Sequence, residues 1–90
     1  MENSRVVIQL AKMPGDMQVA AVNTASFAFA NYRENKDIAK HIGKEFDRMY
    51  GTRWHCIVGP SFSAHVWHDK NCYIKFSVGQ DTVVLIKFGK

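Results

Sequence analysis

The chain is 90 residues long with a formal net charge of +4, 47% hydrophobic and 22% charged residues, which suits one small domain whose core is modest enough for self-association to complete it. That balance excludes a disordered chain, and twelve lysines and arginines scattered among acids, with no aromatic–basic stripe, exclude a nucleic-acid platform. Two cysteines cannot build a disulfide framework, and no apolar run approaches the ~18 residues of a membrane span. The start, MENSRVV, has neither a signal-peptide core nor, with Glu2, a myristoylation motif, so a reduced cytosolic compartment is expected.

Arg5–Ala11 alternates Val6, Ile8 and Leu10 against Val7, Gln9 and Ala11, which predicts a first strand. Met13-Pro14-Gly15-Asp16 breaks it and suits a helix start, where a missing N–H is tolerated and the dipole favours an acid. From about Asp16 to Tyr32 the pattern is helical, with a stripe of Val22, Ala25, Phe29 and Tyr32 flanked by Met17, Ala21 and Ala28. Arg33-Glu34-Asn35 is a turn with Asn35 as N-cap. A second helix runs from about Lys36 to Tyr50 and stops at Gly51, a left-handed C-cap. Its buried stripe is Ile38, Ile42, Phe46 and Met49; Lys36, Lys40, Lys44, Asp47 and Arg48 lie opposite. Gly43 sits mid-helix at a cost of roughly 1 kcal/mol relative to alanine, which marks either a close approach or a tolerated blemish.

Trp54–Val58 and Phe62–His68 are β-type runs separated by Gly59-Pro60-Ser61. In the second, Phe62, Ala64, Val66 and His68 share one face while Ser63, His65 and Trp67 share the other. The proline just before it argues for an edge strand or one that leaves its own sheet and pairs elsewhere. Cys72–Val78 and Thr82–Phe88, joined by Gly79-Gln80-Asp81, form the clearest hairpin. The last strand is apolar on both faces, Val83 and Leu85 against Val84, Ile86 and Phe88, so its sheet is covered twice. Two helices cover one side only, and a second copy of the chain is the expected cover for the other. The whole is a single α+β domain over residues 1–90, in the order β-α-α-β-β-β-β.

The candidates for chemistry are weak. His65 and His68 stand three strand steps apart and point to opposite faces, so they do not chelate together. Neither CxxC nor HExxH occurs, and Cys56 and Cys72 are separated by fifteen residues, so structural thiols are expected rather than a metal site. His55 and Cys56 are adjacent on a strand, where side chains diverge and cannot share a proton. No glycine cluster forms a phosphate loop. The expectation is no enzyme and no cofactor. Trp67 between His65 and His68 reads either as a packing aromatic at an interface or as part of a recognition groove.

One set of residues resembles a known family. Lys36-Asp37-Ile38-Ala39, His41-Ile42, Lys44-Glu45-Phe46-Asp47, Tyr50, Trp54-His55-Cys56-Ile57-Val58-Gly59, Phe62, His68 and Gly79-Gln80 resemble the dynein light chains of the eight-kilodalton type, without a gap over nearly the whole chain. The resemblance implies a strand-exchanged homodimer: two antiparallel sheets face to face, helices outside, and Phe62–His68 crossing to the other subunit. It implies a groove between that strand and the start of the other chain's second helix, where extended partner segments bind by β-augmentation. Two grooves bind two chains at once and promote partner dimerisation. The implied partners are dynein intermediate chain and other proteins with short linear motifs, at cytoplasmic microtubules, with no catalysis.

The groove residues implied are Asn35, Lys36, Ser61, Phe62, Ser63, Ala64, His65, Val66, Trp67, His68, Tyr73, Lys75, Ser77 and Val84. Phe62, Val66, His68 and Lys36 match the family, where the lysine helps receive a partner glutamine. Asn35 replaces an acid; His65, Lys75 and Ser77 replace tyrosines; Trp67 replaces a threonine, Ser63 a glycine, Tyr73 a phenylalanine and Pro60 a basic residue. Lys75 and His65 are expected to shift preference toward acidic segments. The dimer interface implied contains Phe62, Ala64, Val66 and His55. If His55 meets its symmetry mate, protonation below about 6.5 weakens the dimer. Phe88 stands where the family has a phosphorylatable serine, so that switch is expected to be missing.

Overall fold

The computed structural model describes residues 5–60 and 72–87. Its elements are β1 (Val6–Lys12), α1 (Gly15–Asn31), α2 (Asn35–Tyr50), β2 (Trp54–Pro60), β3 (Tyr73–Val78) and β4 (Asp81–Lys87). The four strands form one antiparallel sheet in the order β1-β3-β4-β2. The expected strand Phe62–His68 lies outside the described residues.

Both helices pack on one face of the sheet. Ala21, Ala25 and Ala28 of α1 and Ile38, Ile42 and Phe46 of α2 share a core with Trp54, Ile74, Phe76, Val78, Val83 and Leu85. The stripe on α1 is therefore centred on small residues rather than on Val22 and Tyr32, and Tyr32 is 40% exposed. Alanine brings the helix axis close to its support, which leaves the larger side chains to the flanks. On α2 the expected Met49 is also exposed, and Tyr50 packs against the core in its place.

Several expected boundaries move by a residue or more. Glu34, not Asn35, occupies the N-cap of α2, and Pro14 precedes α1 while Asp16 sits in its first turn. Gly51 ends α2 at φ 82, but its ψ of 167 takes it out of the left-handed helical basin into a region open essentially to glycine alone. β2 continues through Gly59 to Pro60, which pairs with Asp81. An edge strand tolerates proline because one side of its backbone needs no donor. The hairpin turn tightens to Gly79-Gln80, with Val78 opposite Asp81 and Gly79 at φ 62.

The largest change is in β1. Its pairing with β3 slips between Ile8 and Leu10, leaving Gln9 as the extra residue of a bulge. Val6, Ile8 and Ala11 oppose Val78, Phe76 and Ile74 on the helix side, while Val7, Leu10 and Lys12 oppose Ser77, Lys75 and Tyr73. A one-residue insertion exchanges the faces of everything beyond it. Leu10 therefore joins Val7 on the side away from the helices, where the simple alternation put Ala11.

The centre of that second face is apolar, with Lys12, Lys75, Ser77 and His55 also on it. Tyr73, Val84 and Ile86 form a separate buried cluster there. Around them Val7, Leu10 and Ile57 are 46%, 40% and 55% exposed. As the sequence predicted, β4 is buried on both sides.

Candidate functional site

α2 and β2 are tied together at their near ends. The backbone N–H of Trp54 donates to Asp47 Oδ1 at 2.8 Å, and Lys87 Nζ donates to the Tyr50 carbonyl at 3.3 Å while lying 5.9 Å from the Trp54 ring centroid. Phe46, Tyr50 and Trp54 stack edge-on around this corner, with Phe46 and Trp54 4.9 Å apart. The indole N–H of Trp54 is buried with no acceptor among the described residues.

From that corner a trough of about 580 Å³ runs along the helix and the strand. Asn35, Ala39, Gly43 and Asp47, one per turn, form one stripe of its helical wall. Lys36, Lys40 and Lys44 form the adjacent stripe. Residues 54 to 58 of β2 make the other wall. β2 pairs with β4 alone among the described strands, so the N–H and C=O groups along its outer edge have no described strand beside them. An open strand edge beside a helix is a place where an extended chain gains main-chain hydrogen bonds.

The residues expected to bind partners fall into three sets. Asn35 and Lys36 lie in the trough, together with His55. Tyr73, Lys75, Ser77 and Val84 lie together on the sheet face away from the helices, as their pairings with Lys12, Leu10, Val7 and Ile57 require. Ile57 belongs to both places, lining the trough and pairing with Val84, so the edge strand is all that separates the two sets. Ser61, Phe62, Ser63, Ala64, His65, Val66, Trp67 and His68 lie outside the described residues.

Ala39, Lys40, Gly43, Lys44 and Asp47 were not singled out as site residues. Their signal was the four-residue repeat that starts from Asn35 and Lys36. Gly43 approaches β2, but a methyl group there would meet the Trp54 carbonyl at an ordinary 3.8 Å. Among the described residues, nothing packs closely enough on Gly43 to require a glycine there.

The electrostatics are simple. Glu45 pairs with Arg48 at 2.7 Å on the exposed side of α2, which lowers the carboxyl pKa and raises the guanidinium's through their hydrogen bond. His55 is exposed, and Cys56 turns to the core side, packed against its residues. Burial pushes the Cys56 thiol up to about 12. The residue counts as only half-buried because its backbone lies on the edge strand, while its thiol faces inward. Among the described residues no group of three or more His, Cys, Asp or Glu could hold a metal ion, and no helix is long and apolar enough to cross a membrane.

Known proteins share this fold. The family model described as dynein light chain type 1 matches residues 5–88. The dynein light chain-like domain of the Fasciola hepatica calcium binding protein FhCaBP2 superposes with a TM-score of 0.84 at 20% identity, over 98% of this chain and 95% of that one. The dynein light chain-like domain of CsTAL3 superposes with a TM-score of 0.80 at 11% identity, over 94% of each chain. At these identities the two structures share the fold, and calcium belongs to the name of the Fasciola protein alone.

Proposed function

The chain belongs to the dynein light chain family, and from that membership we propose that it is a non-enzymatic dimeric hub that receives short extended segments of other proteins. In this reading two copies pack through the sheet faces opposite their helices. The strand Phe62–His68 of each crosses to lie beside β2 of the other. Partner segments then add a further strand along the outer edge of that crossing strand, between it and the start of α2.

The observation that carries the reading is the trough beside β2, whose outer edge has no described strand, so that a crossing strand and then a visiting segment can be added between β2 and α2. The second face supports it: Val7, Leu10 and Ile57 ring the buried Tyr73, Val84 and Ile86, an apolar surface of the kind that self-association covers. A two-fold dimer presents two such troughs, so a bivalent partner gains effective concentration without any new contact. Family membership points to the dynein motor at cytoplasmic microtubules and to dynein intermediate chain as a partner.

A second reading is an adaptor of this fold that acts independently of dynein. It is favoured by Lys75 and Ser77, which occupy positions where the family carries tyrosines. Calorimetry with an intermediate-chain segment decides between them. Saturable binding at one segment per protomer supports the dynein role. A stable dimer that ignores this segment but captures others supports the adaptor. A chain that remains monomeric and binds no linear segment overturns both.

A further inference from the structure

The wall that α2 presents to the trough carries a regular row of cations. Lys36, Lys40 and Lys44 succeed one another every four residues, and all three are exposed. Four helical residues advance about 6 Å along the axis. Two residues of an extended strand advance about 6.6 Å and return the side chain to the same face. The two repeats therefore keep step over the length of the row, and flexible lysine stems absorb the small difference.

No described acid forms an ion pair with this row. Asp47, the acid in the trough, accepts from the Trp54 backbone. Glu45 is held by Arg48 on the far side of the helix. Asp37, in the first turn of α2, lines an adjoining hollow together with Lys40, Lys44 and Glu45, and is ion-paired to neither lysine. A second copy of a chain with net charge +4 is a poor source of the missing charge, and Ser61–His68 contains no acid at all. The row stays solvated in the protomer, and a visiting chain is a source of charge that complements it.

We infer that the trough selects extended segments with carboxylates at alternate positions, and that Lys40 and Lys44 are the residues that read them. The inference rests on the reading of the trough as a segment-binding groove and adds the chemistry of what it takes. Rim charges of this kind set partner choice and association rate more than total affinity.

A random linear-peptide library selected on the full-length chain tests it, with Lys40→Gln/Lys44→Gln as the companion variant. Both lysines are exposed, so the variant keeps the fold, which circular dichroism checks. The expected result is enrichment of Asp or Glu two residues apart on the wild type and its loss on the variant. The enriched peptide should bind roughly tenfold more tightly than its Asn/Gln counterpart at low salt, with the difference shrinking at high salt. Peptides enriched without alternating acids, or acidic and neutral versions bound alike, overturn the inference and leave the groove intact. If no linear peptide is enriched, the groove reading itself fails and takes the inference with it.

Discussion

Cys56 is held as a neutral thiol by the packing behind β2. Its pKa rises from an ordinary 9.0 to about 12 because burial penalises the thiolate. In the unfolded chain the thiol ionises near 9, whereas the folded chain retains the proton until about 12. Between those limits the unfolded state binds fewer protons, so stability falls as pH rises through the window. Thermal melts should show this alkaline loss in the wild type and less of it in Cys56→Ala. Alkylation of Cys56 should likewise be slow until the protein unfolds. His55, its neighbour, turns outward at the open edge.

The connection from α2 to β2 fixes both walls of the trough. Asp47 Oδ1 holds the first N–H of β2 at 2.8 Å, and truncating it leaves a partly buried donor unsatisfied. Asp47→Ala should cost about 1–3 kcal/mol in urea unfolding. Gly51 makes the turn between them at φ 82 and ψ 167, and Gly51→Ala should cost about 1–3 kcal/mol through backbone strain. Gly43 behaves in the opposite way. Its position is helical and a Cβ there meets nothing closer than 3.8 Å, so Gly43→Ala should stabilise the chain by about 0.5–1 kcal/mol. Because Gly43 also faces the trough, a loss of segment binding in that variant would show that the visiting backbone runs close to the helix there.

At the scale of the whole molecule, the sheet has one face filled by the chain's own helices and another whose apolar rim stays open. Ile57 is 55% exposed on that rim, so replacing it costs the isolated protomer little. Within the proposed dimer, Ile57→Glu buries a charge without a partner. Sedimentation velocity should find the variant folded and monomeric, and calorimetry should find its segment binding lost. A variant that remains dimeric would place the contact between copies elsewhere.

The sequence by itself determined the order of the described elements, the two helices, the hairpin that closes the chain and a last strand buried on both faces, because each is written in local spacing. Three- and four-residue repeats specify helices, two-residue repeats specify strands, and Val83 through Ile86 leave no polar side. The family was legible for a related reason: Trp54-His55-Cys56-Ile57-Val58-Gly59 and the α2 residues before it form a nearly continuous signature. Tertiary structure alone decided the face of Leu10, since a bulge at Gln9 depends on pairing with β3 and has no local code. It also decided that Ala21, Ala25 and Ala28 rather than Tyr32 carry α1, because helix spacing responds to what lies beneath. The trough belongs to the same class. Lys36, Lys40 and Lys44 are visible as a repeat in the chain, but only the packing of α2 beside the open edge of β2 turns that repeat into the wall of a groove.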